Sequence, residues 1–300
     1  MKPRSPTLDQ LQVFLAIVDA GSFAGAARKL GRATSVISYA ISNLEGQLGL
    51  VLFDRDQTRK PQLTEAGRAM LLEARTVAHG IDGLLAKAQG LIEGLEAEVG
   101  LAVDVMLPTS RLVEVLDAFR AEFPTVALRL NIEALGAIVQ LVLDGGAQIG
   151  ISGPLFHRVE GIEMRRVGSV KLVPVAAPSH PLSLLTGEAP TSELRNHIQL
   201  VLTDRSRQTE GQEFAVLAVR TWRLADLGAK HALLLAGVGW GSMPEAMVAD
   251  DLAAGRLVKL ALDHWDNLVY PLQAIHRSDT PPGPAGRWLL EKFKAAVGEG

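Results

Sequence analysis

Residues 22–45 read SFAGAARKLGRATSVISYAISNLE, the pattern of two short helices around a tight turn. Phe23, Ala26, Ala27 and Leu30 recur three and four apart, so they share one face of a first helix. Ser22 stands where it can cap that helix. Ala27 is small enough to let a second helix cross close by, and Gly31 can take the left-handed conformation in which helices end. The second helix starts near Thr34, with Ile37, Ile41, Leu44 and Leu48 as its apolar stripe. Off that stripe lie Thr34, Ser35, Ser38, Tyr39, Ser42 and Asn43, with no acid until Glu45. An ordinary solvated face would carry Lys and Glu, which are better helix formers and keep the surface soluble. Short hydroxyl and amide groups suit a helix entering the DNA major groove, where they bond base edges and phosphates. A close helix–helix contact among small residues is the competing reading of this segment alone.

The flanks extend the pattern. Leu8, Leu11, Phe14, Leu15 and Val18 predict a preceding helix with one apolar side, entered after Pro6 and left near Gly21. After the second helix Gly46 and Gly49 break the periodicity, and LVLFDRDQTRKPQLT follows as two strand-like runs around a charged loop. That is the form of a wing, a hairpin whose tip lies along the DNA backbone or minor groove. Arg55, Arg59 and Lys60 are its candidate phosphate contacts, against the alternative of a plain solvated loop. Residues 1–63 hold eight Lys/Arg and five Asp/Glu, a net of +3, whereas the whole chain is −3, which leaves −6 for the rest. A basic module on an acidic body is expected where only the module meets a polyanion.

The succession AGSFAGAARKLG, a helix ending SNLE, LGLVLFDR and QLTEAG resembles the LysR-type transcriptional regulators. The resemblance is close over about the first 65 residues. Three departures stand out. The family commonly opens its reading helix Ser-Gln-Pro, where this chain has Ala33, Thr34 and Ser35. It commonly has Arg where this chain has Tyr39, and basic residues where this chain has Ser42 and Asn43. All of these fall on the reading face, so the apolar stripe and the fold expectation are untouched.

Thr64 can cap a helix that continues to about Leu95. Within it Ala74, Val77, Ile81, Leu84, Ala88, Leu91 and Leu95 alternate at spacings of three and four, a heptad seam. Gly80, Gly83, Gly90 and Gly94 weaken it, each by about 1 kcal/mol relative to alanine, so burial against a partner is expected to hold it. In the family this is the linker helix, and the resemblance implies a homodimer and commonly a homotetramer. Packing on its own domain is the alternative.

From Glu98 onward short apolar runs (VGLAVDVML, VALRLNI, AQIGISG, KLVPVAA, HIQLVLT) alternate with helical stretches (RLVEVLDAFRAEF, AIVQLVLDGG, LGAKHALLLAGVG). Such alternation predicts parallel sheets covered on both faces. A change of character near Pro174–Pro178 and a late strand at PLQAIHR suggest two subdomains with the chain crossing twice. This resembles the family's two-lobed effector domain, related in fold to periplasmic type II binding proteins. The expected fold is therefore α/β with an all-α-type winged helix-turn-helix at residues 1–63, a linker helix at 64–97, and a two-lobed effector domain at 98–300. Lobe 1 would comprise about 98–173 and 272–300, and lobe 2 about 174–271.

Ligands of such sheets lie at strand carboxyl ends and helix N-termini, which favour anions. The candidates are Thr109 and Ser110 after the first strand, Leu135 and Gly136 after the second, and Ser152 and Gly153 ending AQIGISG. Thr203 and Ser206 follow HIQLVLT, and Trp222 could form an apolar wall. Arg111 and Arg205 are candidate clamps, and each residue has a helix cap or loop role as its alternative. A small organic anion is the expected effector, by resemblance to the family.

Enzymatic patterns are weak. GVGWGS has Ser242 where a dinucleotide fingerprint needs its last glycine, and GISGP lacks the second flank of a nucleophile elbow. His79, His157, His180, His197, His231, His264 and His276 are scattered without metal-ligand spacing, and there is no cysteine for a thiolate, a Cys-based zinc site or a disulfide. No enzyme activity, metal or cofactor is expected. No apolar run approaches the ~18 residues of a membrane span, and the N-terminus lacks a signal-peptide core, so a cytoplasmic protein without membrane partners is expected. Two functions remain. One is a regulator whose partners are promoter DNA, a small effector and, as a further candidate, RNA polymerase. The other is a two-lobed small-molecule binding protein or enzyme with an N-terminal assembly module.

Overall fold

The computed structural model describes residues 5–54, 61–155, 158–185, 187, 190–203, 206, 215–262 and 268–298. The chain divides into two compact units, Met1–Gln89 and Gly90–Gly300. In the first, α1 (Leu8–Ala20) begins with a reciprocal cap in which Thr7 N–H donates to Gln10 Oε1 at 2.8 Å and Gln10 N–H to Thr7 Oγ1 at 3.3 Å. Ser22 Oγ accepts from Gly25 N–H at 3.0 Å to start α2 (Phe23–Leu30), and Gly31, at φ 63°, ends it. α3 (Thr34–Leu48) ends at Gly49, also left-handed. The helix runs through Gly46 rather than breaking there, since Leu44 is fully buried and Leu48 packs against the same core.

The three helices close on Val13, Phe14, Ile17, Ala26, Ala27, Ile37, Ile41 and Leu44. The face of α1 is rotated from the expected stripe. Val13, Phe14, Ala16 and Ile17 are buried, whereas Leu11, Leu15 and Val18 are half-buried at the margin. Because α1 packs on both α2 and α3, its buried face lies between the two contacts. The wing attaches through β1 (Phe53–Asp54), antiparallel to β2 (Gln62–Leu63). Phe53 stands edge-on to Phe14 and Phe23, with centroids 5.5 and 5.7 Å away. Glu45 at the end of α3 accepts from Leu52 N–H at 2.7 Å and Phe53 N–H at 3.3 Å, which ties the wing to that helix. Thr64 Oγ1 accepts from Gly67 N–H at 2.9 Å and caps the 28-residue α4 (Glu65–Ile92).

The second unit runs β3 (Glu98–Asp104), α5 (Thr109–Glu122), β4 (Ala127–Glu133), α6 (Gly136–Leu143), β5 (Ile149–Ser152) and β6 (Ile162–Ala176). It continues with α7 (Thr191–Asn196), β7 (Gln199–Leu202), β8 (Thr221–Leu224), α8 (Leu227–Leu235), β9 (Trp240–Pro244), α9 (Glu245–Ala253), β10 (Val258–Lys259), β11 (Val269–Arg277) and α10 (Pro284–Val297). The strand order is β4-β3-β5-β11-β6-β9-β7-β8, with β10 also on β6. The sheets are mixed rather than parallel. β3 pairs in parallel with β4 and β5, and β7 with β8 and β9, but β6 and β11 run antiparallel to every strand they meet. The physical reason is the length of β6: its 15 residues bond β11 up to Lys171 and β9 from Leu172 onward, so one strand serves both groups. No single helix among the described residues is long and apolar enough to cross a membrane.

Two glycines of the first unit should respond oppositely to alanine. A Cβ at Gly67 would sit 2.1 Å from the Leu52 carbonyl oxygen, while one at Gly46 meets nothing within 4 Å. Gly67→Ala should therefore destabilise this unit by more than about 2 kcal/mol. Gly46→Ala should stabilise it by up to about 1 kcal/mol. Thermal unfolding followed by circular dichroism checks both, and a neutral Gly67→Ala would contradict the close seating of α4 on the wing.

Candidate functional site

The stripe of α3 is taken up by the core, so its opposite face is what the module presents. Thr34, Ser35, Ser38, Tyr39 and Ser42 are exposed, Tyr39 at 70 %, and Asn43 is half-buried. Val36, not anticipated from the sequence, adds an exposed apolar group to this face. Ala33 supplies no side-chain cap, in contrast to Thr7 and Ser22 on the two preceding helices. Two neighbouring cations are held by acids: Arg32 grips Asp9 through two bonds of 2.7 and 3.0 Å, and Lys29 lies 3.1 Å from Asp19. The guanidinium bonded to Asp9 holds that carboxyl below the usual aspartate range. Arg55, Arg59 and Lys60 lie outside the described residues.

Along α4, Ala74 is buried in the first unit's core and Ile81 is half-buried. Val77, Leu84 and Leu91 of the same seam are exposed, Leu84 at 62 %, and Leu72, Leu85 and Ile92 add to the uncovered apolar surface. Leu95 lies past the helix end, beyond Gly94 with its φ of 83°.

In the second unit the carboxyl ends of β3, β4 and β5 meet at a buried acid. Asp104, the last residue of β3, accepts from Met106 N–H (2.9 Å), Leu135 N–H (3.3 Å), Gly153 N–H (3.1 Å) and the Tyr270 hydroxyl (2.9 Å). Burial pushes its carboxyl up to about 6 although these four bonds oppose the shift. Leu135 has a φ of 49°, a strained conformation for a side chain of its size, at the point where its N–H bonds Asp104. Gly153 admits no side chain, since a Cβ there would lie 1.9 Å from the Tyr270 hydroxyl oxygen.

Beside this cluster lies a cavity of about 320 Å³ where the two groups of strands meet. Met106, Leu135 and Pro154 wall it from one side, Leu200, Leu202 and α8 from the other, and Leu268 to Pro271 close the end. Among the described residues, four polar ones interrupt the apolar wall: Gln199, Lys230, Ser242 and Tyr270. Gln199 is engaged at both ends, donating to Ala215 C=O at 2.7 Å and accepting from Leu217 and Ala218 N–H. Lys230 donates to the Ser242 carbonyl at 2.7 Å, and burial pulls its ammonium down to about 8.

Of the ligand candidates drawn from the sequence, Leu135 lines this cavity, and Gly136 follows it as the first residue of α6. Ser152 is fully buried and Gly153 is spent on Asp104. Thr203 and Ser206 line a second, more open hollow of about 530 Å³ with Glu133, Gln140 and Asp226. Thr109 and Ser110 are exposed at the start of α5, and Trp222 on β8 is 48 % exposed and lines neither cavity. Arg111 pairs with Glu114 at 3.2 Å in a different hollow, and Arg205 lies outside the described residues. Sequence reasoning missed Asp104, Lys230 and Ser242. Its available signal was an ionisable residue set into an apolar run, as in GLAVDVM and AKHALLL.

A winged helix-turn-helix followed in the same chain by a two-part α/β body with an inter-strand cavity defines a ligand-sensing DNA-binding regulator. Residues 8–68 match the family model for bacterial regulatory helix-turn-helix proteins of the lysR family, and residues 93–298 match the LysR substrate binding domain. The chain belongs to the LysR family of transcriptional regulators. It is 32 % identical over 260 residues to the probable HTH-type transcriptional regulator YhaJ of Escherichia coli K12, covering 85 % of this chain and 86 % of that protein. It is 26 % identical over 292 residues to the HTH-type transcriptional regulator AceR of Acinetobacter baumannii, covering 95 % and 96 %. Among solved structures it is similar in fold to full-length LysG of Corynebacterium glutamicum with bound effector Arg, at a TM-score of 0.52, 21 % identity and coverage of 98 % and 99 %. The C206 mutant of OxyR from the same organism is similar at a TM-score of 0.53 and 21 % identity, with 99 % and 94 % covered.

The Asp104 cluster carries a stability prediction. Asp104→Asn places an amide against donors that need an acceptor and should cost about 3 kcal/mol. The unfolded aspartate titrates near 3.8 and the folded one at about 6, so between those values the folded chain binds more protons. This group's contribution therefore falls as pH rises from about 4 to 6, opposite to the usual carboxylate. The deficit of the variant, followed by thermal unfolding, should be largest near pH 4 and narrow toward pH 7. A deficit that widens with pH would mean that Asp104 titrates low.

Proposed function

We propose that this chain is a regulator that reads duplex DNA as a homodimer, or a tetramer built from dimers, and that a small organic anion in the cavity beside Asp104 sets its activity. The observation that carries the reading is the exposed hydroxyl and phenol face of α3 on a helix-turn-helix of this family. Thr34, Ser35, Ser38, Tyr39, Ser42 and Asn43 contact the bases, while Arg55, Arg59 and Lys60 of the wing contact phosphates. Residues 1–63 form the reading head and 64–97 the dimerisation segment. Residues 98–300 form the effector domain, with lobe 1 at 98–173 and 272–300 and lobe 2 at 174–271. The uncovered Val77, Leu84 and Leu91 support the dimer, because two copies give two reading heads for two half-sites. The candidate ligand residues divide by position: Leu135, Gly136, Ser152 and Gly153 near Asp104, Thr203 and Ser206 at the second hollow, and Thr109, Ser110 and Trp222 at the periphery. The work is cytoplasmic, on promoter DNA within reach of RNA polymerase. The alternative of a two-lobed binding protein or enzyme gains no support from the relatives, which are named as transcriptional regulators.

A gel shift on the intergenic DNA beside its own gene tests the reading. Arg55→Ala should weaken binding to all sequences and lower the salt slope by about 1. Ser38→Ala and Tyr39→Ala should each cost about 1–3 kcal/mol on the preferred site and relax its sequence preference. If none of the three alters binding, the reading face is misassigned. Leu84→Glu should shift the chain toward monomer in sedimentation velocity, and an unchanged oligomer would remove α4 from the interface. An effector supplied at a hundred times its dissociation constant should add about 2.7 kcal/mol to stability.

A further inference from the structure

Among the described residues, Lys230 is a charged group on the wall of the cavity beside Asp104 whose bonding is incomplete. Lys230 is 3 % exposed and Ser242 9 % exposed, and both line the cavity. The ammonium donates once, to the Ser242 carbonyl, and no carboxylate stands within ion-pair distance of it among the described residues. The Ser242 hydroxyl also lacks a partner among them, but Lys230 packs against Gly241, and the Ser242 side chain stands on the opposite face of β9. A buried cation with two N–H donors left over is costly unless an anion completes it. Among the described residues the other polar wall groups are committed, Gln199 to residues 215–218 and Tyr270 to Asp104, and offer no second charge. The rest of the described wall is apolar, with Met106, Leu200, Leu202 and Leu268 among it.

We infer that the effector is a monocarboxylate with a compact apolar body, its carboxylate accepting a hydrogen bond from Lys230 Nζ and its hydrocarbon part lying on the leucine wall. This rests on the proposed effector role of the cavity and specifies its chemistry. One carboxylate matches one ammonium, and among the described residues of the wall a second anion or a ligand ammonium would find no charged partner. The lowered proton affinity of Lys230 agrees, because burial strips water from its ammonium. A cavity of 150 Å³ holds benzene, so about 320 Å³ admits roughly a dozen non-hydrogen atoms.

Calorimetric titration of the full chain with phenylacetate and hexanoate, each against its primary amide, tests the assignment, with succinate and phenylalanine as dianion and zwitterion. The monocarboxylates should bind about ten- to a hundredfold tighter than their amides and tighter than succinate or phenylalanine. Lys230→Met should abolish the preference for acid over amide. The Met variant should melt no lower than the native chain, because it removes a buried cation; if it does not fold, the acid–amide comparison on the native chain decides. Amides bound as well as acids, a preference that survives Lys230→Met, stronger binding of succinate or phenylalanine, or no binding of either monocarboxylate would overturn it. A chain that shifts its DNA but binds neither acid loses this inference and keeps the proposed function, and one that binds phenylacetate but shifts no duplex does the reverse.

Discussion

The second unit depends on a carboxylate that has almost no contact with water. Asp104 is tolerated inside the protein because four donors from four separate stretches converge on it. One side chain thereby fixes the carboxyl ends of three parallel strands against β11, whose sequence position lies 166 residues away. At low dielectric a bond to a charged acceptor is stronger than in water, and a missing partner is correspondingly more costly. The cluster is therefore cooperative. Leu135 holds a left-handed backbone and Gly153 stays bare of any side chain, both of which place an N–H on the same oxygen.

Lys230 is the counterpart of opposite kind. Both residues are buried and both have shifted proton affinities, yet Asp104 is saturated by the fold and Lys230 has a single acceptor. A saturated charge is explained by architecture alone. An unsaturated one at a cavity wall is explained by what enters the cavity. Tyr270 joins the two regions, since its hydroxyl bonds Asp104 while its residue lines the cavity.

The first unit was legible in the sequence because its signals are short-range. Ser22, Gly31 and Gly49 act within one turn of themselves, and the stripe of α3 is a matter of three- and four-residue spacings. The rotation of α1 was not legible, because only the positions of α2 and α3 decide which of its apolar residues are central. In the second unit the strands could be read as apolar runs but their directions could not. Whether β6 meets its neighbours in parallel depends on β11, which lies about a hundred residues on. The ligand candidates came from the rule that strand ends and helix starts bind anions. That rule reached Leu135, but the turn after β3 carries Met106 inward and leaves Thr109 and Ser110 outside. Lys230 was hidden inside a helical pattern whose periodicity is satisfied without it.

The cavity lies where the two long strands β6 and β11 connect the two groups of strands. β6 exchanges β11 for β9 between Lys171 and Leu172, and β11 has a register shift between Leu272 and Gln273. Leu172, Tyr270 and Pro271 belong to both that junction and the cavity wall. A ligand seated there, as proposed, would press on the two long strands at the place where their ladder is already irregular. A small difference in how the wall closes is then carried along strands held rigid by hydrogen bonds at both ends. Ligand occupancy can shift the equilibrium only by its differential affinity for the two closures. Among the described wall residues, Lys230 has bonds still to make and so can supply that difference.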